Sequence, residues 1–276
     1  MAVETGALRR AAVIAPRKRL LGVDNRFLPP LLITSILLTA HLSFGILEGW
    51  ERTALAIVTA IVAELIMGRV TYGVWPHPAS AYISGISAGI LVRSPFFWPY
   101  FLTSLISITS KYVLRVRGRH LWNPTNFGVS AVVFLAPAAV TVLSVQWGNV
   151  VAPMAVIWVL GTIITWRVGR LHISATYVLS FLAFSVVRAW WTGTPWLANV
   201  APITGPMYQL FTFFMVTDPK TTVKSVNGQC VVVFLVALVE TIMRLNEIVY
   251  APFYALFVVG PIALLVEDWL EARRRV

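Results

Sequence analysis

Long apolar runs separated by short polar stretches recur along almost the whole chain. Set against the roughly 20 residues that an α-helix needs to cross hydrocarbon, they predict ten spans: 28 to 47, 53 to 68, 80 to 92, 96 to 110, 122 to 143, 150 to 166, 171 to 190, 206 to 216, 228 to 243 and 249 to 267. Two are short, 80 to 92 and 206 to 216, and each is the third member of a group of five; Pro202, Gly205 and Pro206 open the second. An odd number of spans per half gives the halves opposite topology, and short Gly/Pro-interrupted segments at matching places in two halves point to an inverted repeat with a site near the midplane. The expected fold is therefore an all-α integral membrane protein of about ten helices in two inverted five-helix repeats, 28–143 and 150–268, forming one membrane domain over 28–268. Basic tails, 1–27 and 269–276, flank it. A bundle of tilted or re-entrant helices with no central site is the alternative, and Ser84, Gly85, Ser87, Ala88 and Gly89 permit close helix packing in both cases.

Composition agrees with the pattern. Of 276 residues 58% are hydrophobic and the mean hydropathy is +0.79, well above soluble proteins. A formal charge of +11 suggests nucleic acid until the cations are placed. With the N-terminus inside, the spans put 18 of the 22 Lys and Arg residues on the cytoplasmic side, leaving Arg52, Arg93, Arg188 and Arg244 outside. That asymmetry is the positive-inside rule, so both termini are expected in the cytoplasm, the bilayer is the expected partner and nucleic acid is not. The stretch from Lys111 to His120 pins the orientation most firmly, and the expected location is the bacterial inner membrane. The apolar patch Ala11 to Ala15 is too short for a signal-peptide core, which makes the N-terminal stretch a cytoplasmic tail. Trp50, Trp75, Trp98, Trp147, Trp166, Trp190, Trp191 and Trp196 fall near span ends, where indoles sit at headgroup level. A single cysteine, Cys230, excludes an internal disulfide and a Cys-ligated iron–sulfur cluster built from this chain alone.

Two polar constellations carry candidate chemistry. His120-Leu121-Trp122-Asn123-Pro124-Thr125-Asn126-Phe127-Gly128 opens the fifth span: Asn123 reads as an N-cap with Pro124 at the first helical position, leaving backbone N–H groups that favour an anion or phosphate. Asn126, one turn deeper, should face protein or ligand rather than lipid. The second, Thr217-Asp218-Pro219-Lys220-Thr221-Thr222, closes the eighth span, and Asp218 there forms the turn, pairs with Lys220 or bonds a ligand. Both should lie at the same membrane face. Within spans, Glu64 and Glu240 are functional candidates because an unpaired carboxylate in hydrocarbon is expensive; Glu240 has Arg244 one helical turn away, whereas Glu64 reaches Arg69 only near the interface. His41, His77, His120 and His172 show no metal-ligand spacing, so no metal is expected. There is no Gly-rich dinucleotide fingerprint and no nucleophile with an evident base, so a self-sufficient enzyme is not expected.

NPTNFG followed by FFMVTDPKTT resembles the NqrB/RnfD family of membrane subunits from ion-pumping redox complexes, and KYVLRVRGRHLWNPTNFG, FFMVTDPKTTVKSVNGQC and RLNEIVYAPFYALF are most similar to its shorter UnbU branch, named for enediyne biosynthesis clusters. The resemblance covers about residues 25 to 270 and implies the ten-span inverted repeat, electron transport and a flavin. In the family one FMN is esterified to a threonine in a Ser/Gly-Ala-Thr element. Here Ser174-Ala175-Thr176 lies inside the seventh span and the flavin loop is missing, so covalent FMN is not expected. The resemblance implies instead non-covalent FMN or riboflavin, or a quinone, held by Asn123, Thr125, Asn126, Thr217, Asp218, Lys220 and Thr221, with Lys111 and Arg119 near any phosphate, and partner redox or biosynthetic subunits. A transporter or channel for a small or hydrophobic solute is the competing expectation, and a scaffold recruiting partners through its basic loops is a third.

Overall fold

The computed structural model describes residues 19–20, 23–24, 28–45, 47–142 and 151–274. Most of the expected N-terminal tail, the connection around Trp147 and the last two residues lie outside them. The fold is mostly helical. In chain order the helices are α1 (Leu28–Phe44), α2 (Trp50–Tyr72), α3 (Ala79–Leu91), α4 (Trp98–Val113), α5 (Pro124–Leu135), α6 (Val151–Arg167), α7 (Leu171–Thr192), α8 (Trp196–Val200), α9 (Pro206–Leu210), α10 (Val226–Leu245) and α11 (Ala251–Arg273). Four of them, α2, α7, α10 and α11, are long and apolar enough to cross a membrane. At 1.5 Å per residue α11 is about 35 Å long, whereas α3 reaches only about 20 Å.

Strands are confined to three two-residue antiparallel pairs among the described residues: β1 (Arg19–Leu20) with β2 (Val23–Asp24), β3 (Val92–Arg93) with β6 (Thr141–Val142), and β4 (Arg115–Val116) with β5 (Arg119–His120). The β4–β5 hairpin turns through Arg117 and Gly118, both at positive φ (48° and 79°), the conformation a two-residue type I′ turn demands.

Three boundaries differ from the sequence expectation. The run 122 to 143 does not stay helical: α5 stops at Leu135 because Pro137 forces Ala136 out of the helical region (φ −137°, ψ 55°), and Thr141–Val142 then pairs with Val92–Arg93. Lys111, taken as the start of a basic loop, is instead in the last turn of α4 and buried. The helix α11 runs on to Arg273 through the segment read as a tail. The short eighth span is irregular as its Pro and Gly residues suggest: α9 is preceded by a 3₁₀ turn (Ala201–Thr204) and followed by a π-turn (Phe211–Met215), in which Val216 N–H donates to Phe211 O at 3.1 Å.

The elements pack through small residues. At the crossing of α3 and α2 a Cβ on Gly85 would stand 2.6 Å from Ile57 Cα, and where α5 meets α4 a Cβ on Gly128 would stand 2.5 Å from the Thr103 carbonyl oxygen. Only glycine fits such backbone approaches, which is how helices associate where apolar burial gives little drive. In the first half α2 packs on α3 and α4, and α4 on α5; in the second α7 packs on α10, and α10 on α11. The halves meet where α1 touches α6 and α5 touches α11.

Candidate functional site

The N-terminus of α5 is built as its letters require. Asn123 is extended (φ −60°, ψ 123°), its Oδ1 accepts from Asn126 N–H at 3.0 Å, and Pro124 follows at the first helical position, where no N–H is needed. The other face of the same amide reaches the second constellation: Asn123 Nδ2 donates to Asp218 Oδ2 at 3.2 Å, although 95 residues separate them. Asp218 organises its own turn. Its Oδ1 accepts from Lys220 N–H at 3.0 Å, and its carbonyl accepts from Thr221 N–H at 3.3 Å and Thr222 Oγ1 at 2.5 Å.

Between these motifs lies a cavity of about 370 Å³, within the size range of small-molecule sites. Ser80, Ile83, Ser84 and Ser87 of α3 and Phe213, Phe214 and Met215 of the π-turn line it, so the two short segments both contribute to one cavity. Lys111, His120, Asn123, Thr125, Arg170, Thr217, Asp218 and Lys220 supply further polar side chains, and Ile33, Pro124, Ile164, Thr165, Val168 and Pro219 complete the lining. Of the seven residues expected to hold a cofactor, Asn123, Thr125, Thr217, Asp218 and Lys220 line the cavity. Asn126 and Thr221 are outside the lining: Asn126 Nδ2 donates to Phe253 O at 3.1 Å and ties α5 to α11, while Thr221 belongs to the Asp218 turn.

Three cations, Lys111, Arg170 and Lys220, line the cavity against one carboxylate, Asp218. Lys111 Nζ donates to Glu64 Oε2 at 2.5 Å and to Ser80 Oγ at 3.3 Å. Glu64 thus has a buried partner on another helix rather than Arg69 on its own. Burial pushes the Asp218 carboxyl up from its ordinary range, against the opposing pull of the Lys220 amide and ammonium, Thr221 and Asn123. Burial also pushes His120 down to about 4, helped by the charges of Lys220, Arg115 and Lys111, so its ring is neutral at pH 7.

A clasp of ion pairs outside the cavity holds the two motifs in register. Arg119 Nη1 donates to Glu267 Oε2 at 2.9 Å and its other terminal nitrogen to Thr222 O, while Lys224 N–H donates to Glu267 Oε1 and Lys224 Nζ to Glu271 Oε1, each at 2.6 Å. Arg117 stands 3.7 Å from Asp268. Trp122 adds its Nε1–H to Phe257 O at 2.8 Å and packs on Phe127 and Phe257. Sequence reasoning missed Glu267, Asp268 and Glu271; the signal was an acidic cluster at the end of the last apolar run, which meets Arg117, Arg119 and Lys224.

The second intramembrane acid sits in a different cluster. Glu240 is fully buried; Oε2 accepts from Tyr177 at 2.6 Å, and Oε1 from Tyr208 at 2.7 Å and from Arg244 Nε at 3.0 Å, the pairing its spacing predicts. Arg188 is buried nearby, donating to Thr241 Oγ1 at 3.0 Å and Asn199 O at 3.1 Å. Ser174 and Thr176 lie in α7 and bond to the Thr212 and His172 carbonyls, so neither is presented on a loop. Among the described residues no three His, Cys, Asp or Glu side chains gather to hold a metal.

These features define the class, a predominantly helical protein with four apolar helices of membrane-crossing length and a polar-lined cavity built by its shorter helices and their connections. No protein-family model matches the chain, and no curated protein matches it.

Proposed function

We propose that the protein is a membrane-embedded subunit of an electron-transfer or biosynthesis-associated system, of the RnfD/NqrB and UnbU kind, that binds a flavin (FMN or riboflavin) or a quinone non-covalently. The observation that carries the reading is the cavity itself, where the two motifs that suggest the family are joined by a hydrogen bond and where three cations, the first turn of α5 and two phenylalanines line the same space. A carrier with a flat conjugated ring and oxygen or phosphate substituents has that mixture of surfaces. Asn123, Thr125, Thr217, Asp218 and Lys220 would hold its polar end, and Phe213 and Phe214 its ring. On this reading partner subunits would supply and withdraw electrons.

The packing supports the inverted repeat as the frame for this site. If α1 to α5 correspond to α6, α7, α9, α10 and α11, the contacts between halves, α1 on α6 and α5 on α11, join corresponding helices, as a pseudo-twofold axis requires. The internal contacts of α2 with α4 and of α4 with α5 recur as α7 with α10 and α10 with α11. Both second helices, α2 and α7, end on a left-handed glycine, Gly73 and Gly193. With both termini on the cytoplasmic side of the bacterial inner membrane, the cavity lies toward the cytoplasm.

The test is the absorbance and fluorescence spectrum of the detergent-purified protein, followed by acid precipitation and by titration with FMN and a short-chain quinone. Flavin released by acid, or saturable binding of either carrier that Asn123→Ala weakens, is the expected result. A colourless protein that ignores both carriers overturns the reading in favour of solute transport.

A further inference from the structure

Two of the three cations lining the cavity have no anionic partner. Arg170, half-buried just ahead of α7, and Lys220, exposed in the Asp218 turn, both contribute to the lining. Neither side chain makes a hydrogen bond or an ion pair among the described residues. The third cation, Lys111, is held by Glu64 and Ser80. Asp218 is the one carboxylate of the lining, and both its oxygens are engaged, Oδ1 by the Lys220 backbone N–H and Oδ2 by the Asn123 amide. Three cations against Asp218 and Glu64 leave the cavity with a positive charge in excess, and α5, whose Pro124 and Thr125 line it, adds the partial positive charge of a helix N-terminus. A guanidinium keeps its charge at any physiological pH, so its partner is water or an anion. Ile83, Ile164, Val168, Phe213 and Phe214 line the same space, an apolar surface that a small hydrated ion does not cover.

The cations expected beside a phosphate from the sequence are both taken by carboxylates, Lys111 by Glu64 and Arg119 by Glu267. We infer that the occupant of the cavity carries a phosphate group bound by Arg170 and Lys220, so that the site selects its ligand by charge as well as by its ring. The inference deepens the carrier reading above and rests on it for the identity of the ring alone. Among the carriers named there FMN meets this requirement, whereas riboflavin and an uncharged quinone leave both cations without a partner. Arg170 is thereby a specificity-determining residue that lies in neither sequence motif. A phospholipid headgroup brings the same phosphate chemistry from the bilayer, and the experiment separates the two sources.

The experiment is equilibrium dialysis of the purified full chain in uncharged detergent, corrected for uptake by protein-free micelles, against two pairs: FMN with riboflavin, and 1-naphthyl phosphate with 1-naphthol. The wild type is expected to bind each phosphate ester about tenfold more tightly than its uncharged parent, roughly the worth of one hydrogen bond to a charged group. The margin should narrow in high salt, since Lys220 is exposed. Arg170→Gln and Lys220→Gln should each weaken the ester of a pair and leave its parent unchanged, and Arg170→Lys, which retains the charge, should keep most of the preference. Equal affinity for FMN and riboflavin in the wild type overturns the inference while leaving the carrier site standing, as does a preference unchanged in both glutamine variants. Binding of 1-naphthyl phosphate that depends on Arg170, with FMN ignored, supports the phosphate site and overturns the carrier reading. If phosphatidylglycerol added to the micelles then displaces that probe, the phosphate belongs to a lipid headgroup. Binding of none of the four overturns both readings. The wild-type comparison of ester with parent decides the matter even if a variant does not fold.

Discussion

At the scale of single residues, the structure turns on what its buried charges meet. Glu64 and Lys111 are both nearly inaccessible, and each is the other's only opposite charge within hydrogen-bonding distance among the described residues. Removing one partner strands the other in the interior. Glu64→Gln should therefore cost about 3–5 kcal/mol, read as a fall in the thermal unfolding midpoint in detergent, and Glu64→Gln with Lys111→Met should recover most of it. His120 predicts a pH dependence. Its pKa is depressed in the folded chain by burial and by Lys220, Arg115 and Lys111, with Asp218 and Arg170 also on the cavity wall. The unfolded chain takes up a proton below about pH 6.5 that the folded chain refuses until about 4, so stability falls with pH across that window. The His120 share of the slope is at most about 1.4 kcal/mol per pH unit, and a His120→Gln variant should show a shallower decline in denaturant melts between the two limits.

At the scale of elements, caps and crossings decide where helices start and how closely they lie. Asn123→Ala removes the α5 cap and the bond to Asp218, costing about 1 kcal/mol for the cap alone, whereas Asn123→Ser should keep the cap and lose only the link. If the two variants differ in stability but share a loss of carrier affinity, cap and ligand contact are separate properties of one side chain. Gly85→Ala forces a Cβ to 2.6 Å from the Ile57 backbone and should destabilise by about 1–3 kcal/mol, because backbone cannot swing aside. Gly260→Ala is the control: its nearest neighbour is Leu256 Cδ1 at 3.7 Å, so the helix propensity of alanine should leave the midpoint unchanged or slightly raised.

At the scale of the whole molecule, the basic end predicts orientation. With Cys230 replaced by Ser, cysteine at Arg117 or Lys220 should react with a membrane-impermeant maleimide only in inverted vesicles, and cysteine at Trp191 only in right-side-out cells. Labelling of all three from one side would overturn the topology. How much of this was written in the sequence follows from the range of each interaction. The apolar runs set nearly every helix, because membrane-length periodicity and the breaks at Pro and Gly are local. The Asn123-Pro124 cap and the Glu240–Arg244 pair were also legible, since each is made within a turn or two of chain. Local reasoning failed at Lys111, read as loop, because its burial depends on Glu64 arriving from α2, 47 residues away. It also could not see that Arg119 spends its charge on Glu267, 148 residues on, or that Asn126 turns to the Phe253 carbonyl rather than to the cavity. The sequence alone determined that this chain is helical and apolar, and it singled out two polar motifs, around Asn123 and Asp218. Only the tertiary structure decided that those motifs line one cavity and that Lys111 and His120 join them there, because hydrogen bonds and ion pairs between distant segments are chosen by packing, which no local pattern encodes.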